Sequence, residues 1–259
     1  MENRINRLLT SKPKGLLSVF YTAGFPALND TETIAIALEA GGADMIEIGI
    51  PFSDPVADGP VIQESNKIAL DNGMTLKLLL EQVRGIRKQV KLPIVLMGYI
   101  NPVLQYGVAR FCADAAAAGI DGVILPDLPL FEYEAEYRDL FKQHGLKNIF
   151  LISPTTSEER IRKIDAASDS FIYAVSASST TGASGAFTHE QENYFARLQN
   201  MKLQNPFLIG FGISNKVSFT KACQYGAGAI VGSAFIRLLK IAKDLPKEIA
   251  YFATELRGK

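Results

Sequence analysis

Short, almost wholly apolar runs recur along this chain, each separated from the next by enough residues for one helix. They span Leu16–Tyr21, Asp44–Gly49, Pro93–Met97, Gly122–Leu125, Asn148–Ile152, Phe171–Val175, Pro206–Gly210 and Ala229–Val231. A strand that is apolar on both faces belongs to a parallel sheet covered on both sides. The intervening stretches carry helical spacing, as in Thr75–Lys88, where Leu76, Leu79, Leu80 and Val83 share one face. Eight strand–helix units in ~250 residues describe a (β/α)8 TIM barrel, with a doubly wound open sheet as the alternative. Nothing marks a linker, so residues 1–259 read as a single α/β domain with an extra N-terminal helix. Several helix-to-strand joins reuse one idiom: Ala40-Gly41-Gly42-Ala43-Asp44, Ala118-Gly119-Ile120-Asp121 and Tyr225-Gly226-Ala227-Gly228. Glycine at such a join predicts a left-handed helix cap.

Lys+Arg and Asp+Glu both number 27, so net charge favours neither nucleic acid nor an anionic membrane, and no basic cluster changes that. Cys112 and Cys223 lie far apart in helix-like stretches, without metal-ligand spacing, and read as small core residues. His144 and His189 leave a histidine-based metal site or triad little to work with. The N-terminus lacks the apolar core of a signal peptide, and no run approaches the ~18 residues of a membrane span. The expectation is a cytoplasmic protein.

In a barrel of this kind the chemistry lies at the C-terminal ends of the strands. Polar residues are few there: Glu47 and Asp58 after the second strand, Tyr99 and Asn101 after the third, Asp127 after the fourth, Tyr173 in the sixth. Glu47 interrupts an apolar strand, and a carboxylate is desolvated there at a cost unless it is paired or used. It leads into Ile50-Pro51-Phe52-Ser53-Asp54-Pro55-Val56-Ala57-Asp58-Gly59-Pro60, where three prolines stiffen the loop. Asp54 and Glu64 lie close by. Glu47 and Asp58 are therefore the candidate general acid/base pair. Gly210-Phe211-Gly212-Ile213-Ser214 and Gly232-Ser233-Ala234 each place glycine before a helix start, with serine expected as the cap. Small residues and free N–H groups there suit a phosphate, whereas ordinary glycine punctuation suffices for Gly226 and Gly228. Ser176–Thr188 is either a lid or a plain surface loop.

The stretch Glu47–Pro60 resembles, almost letter for letter, the signature of the tryptophan synthase α subunit family. The resemblance continues through Leu96-Met97-Gly98-Tyr99-Ile100-Asn101-Pro102, Asp127-Leu128-Pro129, Thr181-Gly182 and both glycine loops. It implies retro-aldol cleavage of indole-3-glycerol phosphate to indole and glyceraldehyde 3-phosphate. Glu47 matches the family's acid/base, Asp58 the carboxylate that receives the indole N–H, and Tyr173 a tyrosine near the reacting centre. The same resemblance puts the phosphate on Gly182, Gly212, Ile213, Gly232 and Ser233, beside Thr181 and Phe211. Phe20, Met97 and Ile124 then flank the indole, and Tyr99 counts among the substrate-binding residues. No cofactor or metal is implied for this chain. The resemblance also implies a β-subunit partner, which carries the family's pyridoxal phosphate, in an α2β2 heterotetramer. The segment after Ser176 departs from well-known members, which often have a basic residue near Ala177 and a glycine near Ser179. Two other readings compete: a different phosphate-binding barrel enzyme, and a pseudoenzyme that only regulates a partner. The first calls for a strand-end lysine, and no strand end carries one; the retained Glu47 and Asp58 oppose the second.

Overall fold

The computed structural model describes residues 2–176 and 187–258. Helix α1 (Arg4–Ser11) is capped by the Asn3 side chain, which accepts from the Ile5 N–H at 2.9 Å. Strand β1 (Leu16–Thr22) follows, then α2 (Asp30–Ala40), β2 (Met45–Gly49), α3 (Pro60–Asp71), α4 (Leu76–Ile86) and β3 (Ile94–Met97). Next come α5 (Ile100–Tyr106), α6 (Val108–Ala118), β4 (Gly122–Ile124) and α7 (Leu130–Glu132). A π-helical turn (Tyr133–Tyr137) joins α7 to α8 (Arg138–Gln143). The second half runs β5 (Lys147–Ile149), β6 (Leu151–Ile152), α9 (Glu158–Ala167), β7 (Ile172–Val175), α10 (His189–Asn200), β8 (Phe207–Gly210) and α11 (Lys216–Tyr225). β9 (Gly228–Val231), α12 (Ser233–Ile241) and α13 (Leu245–Arg257) complete it.

All strand pairs are parallel, in the order β5-β4-β3-β2-β1-β9-β8-β7-β6. The expected fifth strand is split at Phe150: β5 pairs with β4 and β6 with β7. The Phe150 carbonyl accepts from Tyr173 N–H at 2.9 Å, while its ring packs edge-on against Tyr133. One sequence run thus serves two neighbours in turn, and nine strand pieces fill the eight positions of a barrel. The seam between last and first strands is the register Leu16↔Gly228 to Val19↔Val231.

Successive strand residues face opposite ways, which is why these strands are apolar on both sides. One cluster fills the barrel interior: Leu16, Met45, Val95, Ile124, Ile149, Phe171, Tyr173, Leu208 and Ile230. Ile5 joins it with Leu8 and Leu9 against it, so the extra N-terminal helix plugs the amino-terminal end. The opposite parity, such as Leu17, Val19, Ile46, Ile48, Ile94 and Leu96, packs under the helices. Each fully buried side chain of this size contributes about 1.5–3 kcal/mol. Ser18 shares the inward parity of Leu16, and Glu47 that of Met45.

The glycine idiom has two different causes. Gly119 (φ 89°) and Gly42 (φ 88°) adopt the left-handed conformation. Gly226 and Gly228 do not. A Cβ on Gly228 would lie 2.2 Å from the Leu16 carbonyl oxygen, so glycine is needed there for the seam to close. The aspartates of the idiom bind strand starts: Asp44 accepts from Leu17 N–H at 2.8 Å and Asp121 from Ile94 N–H at 2.9 Å. Lys12 and Arg257 neutralise Asp44, and Arg4 and Arg87 neutralise Asp121. Cys112 is buried as expected, whereas Cys223 is half-buried.

Candidate active site

Glu47 is fully buried at the inner face of β2. The Ser18 hydroxyl on β1 donates to its Oε1 at 2.6 Å. Its other oxygen, Oε2, has no hydrogen-bond partner among the described residues. Burial pushes the Glu47 carboxyl from its ordinary 4.5 up to about 7, against the lowering effect of the Ser18 bond.

Asp58 lies on the loop from β2 to α3 and is half-buried. Tyr99, just beyond β3, donates its hydroxyl to Asp58 Oδ2 at 3.1 Å and accepts from the Ala57 N–H at 3.0 Å. One phenol thus fastens both the carboxylate and the loop that carries it. Burial raises the Asp58 pKa and the Tyr99 bond opposes the rise. The loop is stiffened by buried Pro51 and Pro55, by Asp58 N–H donating to Pro55 O at 3.0 Å, and by Pro60 at the start of α3. Asp54 is exposed and accepts from Val56 N–H through its backbone carbonyl. Glu64 faces outward and pairs with Lys240 of α12 at 2.6 Å.

Tyr173 completes the group. It is buried, its ring meets Phe211 edge-on, and its hydroxyl rests so close to Gly210 that a Cβ there would sit 2.2 Å from it. Its pKa is held well above the usual range, first by burial and then by the charges of Glu47 and Asp58. The three candidate catalytic residues therefore share one electrostatic neighbourhood. Met97 and Ile124 belong to the same interior cluster. The Phe20 ring packs on Gly49, and its Cδ1 would be 3.7 Å from a Cβ on Gly232. Asp127 is accounted for elsewhere: its carboxylate accepts from Ile100 N–H at 2.9 Å and closes the start of α5. Asn101 is exposed on that helix.

Serine caps neither of the two glycine loops. Helix α11 starts after Asn215, whose side chain accepts from Ser218 N–H at 2.9 Å, while Ser218 bonds back in a capping box. Ser214 lies outside the helix and donates its N–H to the Ser218 hydroxyl. In the other loop Gly232 occupies the cap position and Ser233 is already helical, with no side-chain hydrogen bond at the cap. The start of α12 therefore keeps the positive end of its dipole without a side-chain acceptor. In the first loop Phe211 (φ 67°) and Gly212 (φ 75°) are both left-handed. That conformation is uncommon for a bulky residue, and the Ser176 hydroxyl holds it by donating to Phe211 O at 2.7 Å. Ile213 is buried beside them. Thr181 and Gly182, with the rest of 177–186, lie outside the described residues.

Sequence reasoning missed Ser18 and the Tyr99–Asp58 link. A signal for the first existed: Ser18 interrupts β1 as Glu47 interrupts β2, both at inward positions.

A parallel barrel with a buried glutamate and a loop aspartate at the carboxyl ends of its strands defines a TIM-barrel enzyme. The sequence profile of one family, tryptophan synthase alpha chain, matches residues 7–257. The tryptophan synthase alpha chain of Flavobacterium psychrophilum is 53% identical over 98% of this chain and 99% of its own length. That of Parabacteroides distasonis is 55% identical, over 92% of this chain and 93% of its own. Among solved structures, tryptophan synthase subunit alpha from Legionella pneumophila superposes with a TM-score of 0.89. It shows 34% identity and covers 99% of this chain and 98% of its own. The chain belongs to the tryptophan synthase alpha chain family, and it is an enzyme subunit of the lyase class.

Proposed function

We propose that this chain cleaves indole-3-glycerol phosphate to indole and glyceraldehyde 3-phosphate, as the α subunit of tryptophan synthase in L-tryptophan biosynthesis. The observation that carries the reading is a fully buried glutamate with one oxygen unpartnered among the described residues, grouped electrostatically with Asp58 and Tyr173. Breaking the bond between the indole C3 and the glycerol chain requires a proton at C3 and stabilisation of positive charge on the ring. Glu47 delivers that proton, and the ring becomes an indolenine cation. Asp58, held by Tyr99, accepts the hydrogen bond from the ring N–H and stabilises that cation. The Glu47 carboxylate left by that transfer takes the proton of the adjacent chain hydroxyl as the aldehyde carbonyl forms and the C–C bond breaks. The C–C bonding pair then returns to the ring as indole leaves. A carboxyl that titrates near neutrality is suited to both giving and taking a proton at working pH. Tyr173 borders the reacting centre. These steps move protons and ring electrons and call on no cofactor.

Phe20, Met97, Ile124, Tyr99 and Phe211 form the walls for the indole ring in this reading. The phosphate lies at the start of α12 on Gly232 and Ser233, with Gly212 and Ile213 opposite, and Thr181 and Gly182 by family resemblance. Gly232 has a negative φ (−120°), and Phe20 at 3.7 Å leaves room for a Cβ. Gly232→Val is therefore expected to fold, to raise KM about tenfold or more by crowding the phosphate, and to change kcat less. Steady-state kinetics check this, and an unchanged KM moves the phosphate elsewhere.

Residues 1–259 act as one catalytic domain in the cytoplasm, paired with a β subunit in an α2β2 assembly. Exposed Val56, Leu104 and Phe131, on the segments after β2, β3 and β4, support a docking face around the barrel mouth. No helix among the described residues is long and apolar enough to cross a membrane. The test is indole release from indole-3-glycerol phosphate, measured with and without the β chain. Release above background is expected, and none in either case overturns the reading.

A further inference from the structure

We infer that Ser18 is a positioning residue for Glu47: its hydroxyl holds Oε1 and thereby makes Oε2 the oxygen that carries and transfers the proton. The transfer step rests on the function proposed above; the pairing of the two side chains does not.

The geometry comes from strand register. Phe20 lies opposite Glu47 across the β1–β2 ladder, and Ser18 lies opposite Met45, two residues nearer the amino-terminal end. Ser18 and Glu47 share the inward parity, so the hydroxyl reaches the carboxylate from the plugged end of the barrel. The loops with Asp58 and Gly232 lie at the other end. Both residues are 0% exposed, and among the described residues the 2.6 Å contact to Glu47 is the one hydrogen bond of the Ser18 hydroxyl. A buried hydroxyl needs such a partner, because an unsatisfied polar group in an apolar interior costs free energy.

The consequence is an asymmetric carboxyl. The Ser18 hydroxyl can donate whether Glu47 is ionised or protonated, since in the acid form Oε1 is the carbonyl-type oxygen. The proton then resides on Oε2, the atom without a partner among the described residues. With Ser18 removed, the two oxygens become equivalent and the carboxyl is free to rotate. A hydroxyl donor also favours the ionised form and opposes the effect of burial. Among the described residues Tyr173 from β7 is the titratable group that feels the charge of Glu47, and it also feels that of Asp58 from the loop after β2. Neighbouring interior positions on β1, β3, β4, β8 and β9 are filled by Phe20, Val95, Met97, Ile124, Leu208 and Ile230. Ser18 is thus the polar group that can set the carboxyl's orientation.

The test is a pH titration of the Glu47 carboxyl by difference infrared spectroscopy on the free protein, with Glu47→Gln identifying the band. In Ser18→Ala the midpoint, about 7 in the parent, is expected to rise by about one unit, the typical scale of one lost charge-assisted bond. The protonated carbonyl band is expected to move to higher frequency, and the Glu47 limb of the kcat–pH profile to rise with the midpoint. Ser18→Thr, which keeps the hydroxyl on a β-branched residue suited to a strand, is expected to restore both. Thermal melts establish that each variant is folded. An unmoved midpoint in folded Ser18→Ala, or a shift that a folded Ser18→Thr fails to reverse, overturns the inference. If the midpoint shifts but the parent releases no indole, the pairing stands and it is the function reading that fails.

Discussion

Glu47→Gln is expected to lower kcat by about a thousandfold while leaving KM nearly unchanged, because shape is retained and the transferable proton is lost. Stopped assays of indole release at several pH values check this, and near-normal kcat removes Glu47 from its role. The same substitution carries a stability signature that is independent of turnover. In the folded protein the Glu47 carboxyl is raised from 4.5 to about 7, so between these values the native state holds a proton that the unfolded chain releases. Stability therefore falls as pH rises through that window, by up to about 3 kcal/mol at 1.36 kcal/mol per unit. Glutamine cannot ionise, so the variant is expected to lose most of this slope, keeping the part contributed by Asp58. Its amide would meet the space at Oε2 without a partner, which costs about 1–3 kcal/mol at every pH. The slope, and not the absolute stability, is the quantity to compare. Denaturant melts from pH 4.5 to 8 read it, and equal slopes in both proteins contradict the burial argument.

The largest structural effect is expected at the seam. In Gly228→Ala the new Cβ would lie 2.2 Å from the Leu16 carbonyl oxygen and 2.5 Å from Leu16 Cβ. The oxygen is backbone and cannot swing aside. Leu16 N–H also donates to Ala227 O at 3.1 Å, and Gly228 pairs with Leu208 on its other side. Accommodation therefore means spreading β9 from β1, where the barrel closes. A loss of about 3 kcal/mol or more follows from overpacking of this kind, or a fall in Tm of roughly 10 °C for a domain of this size. Gly145→Ala is the matched control: φ is 69° but nothing lies within 4 Å of the Cβ, leaving only conformational strain of about 1–2 kcal/mol. If both variants melt alike, the steric account of the seam is wrong.

The difference between these two glycines marks where local reading stops. Gly119 and Gly228 look equivalent in sequence, since each sits between a helix and a strand. One is needed for its dihedral and the other for what stands across a seam more than two hundred residues away. The serines at the starts of α11 and α12 teach the same lesson. A serine after glycine at a helix start predicts a cap, yet Asn215 takes that place in one loop and Gly232 in the other. In the second case the absent cap leaves the helix dipole open, which suits a phosphate better than the expected arrangement.

Glu47 and Asp58 were legible because a carboxylate inside an apolar strand, and a second in the proline-rich loop that follows it, have few structural explanations. The strand–helix count was legible because buried parallel strands carry an all-apolar pattern that short-range chemistry imposes. From the sequence alone, then, come the eight-unit barrel, the polar residues at its mouth and the family resemblance. Tertiary structure alone determined that Ser18 holds one oxygen of Glu47, that Tyr99 fastens Asp58, and that Phe150 hands the ladder from β4 to β7. Each of these depends on the register between strands or loops distant in the chain. Register is set by the packing of the whole barrel, a property that no local stretch of sequence contains.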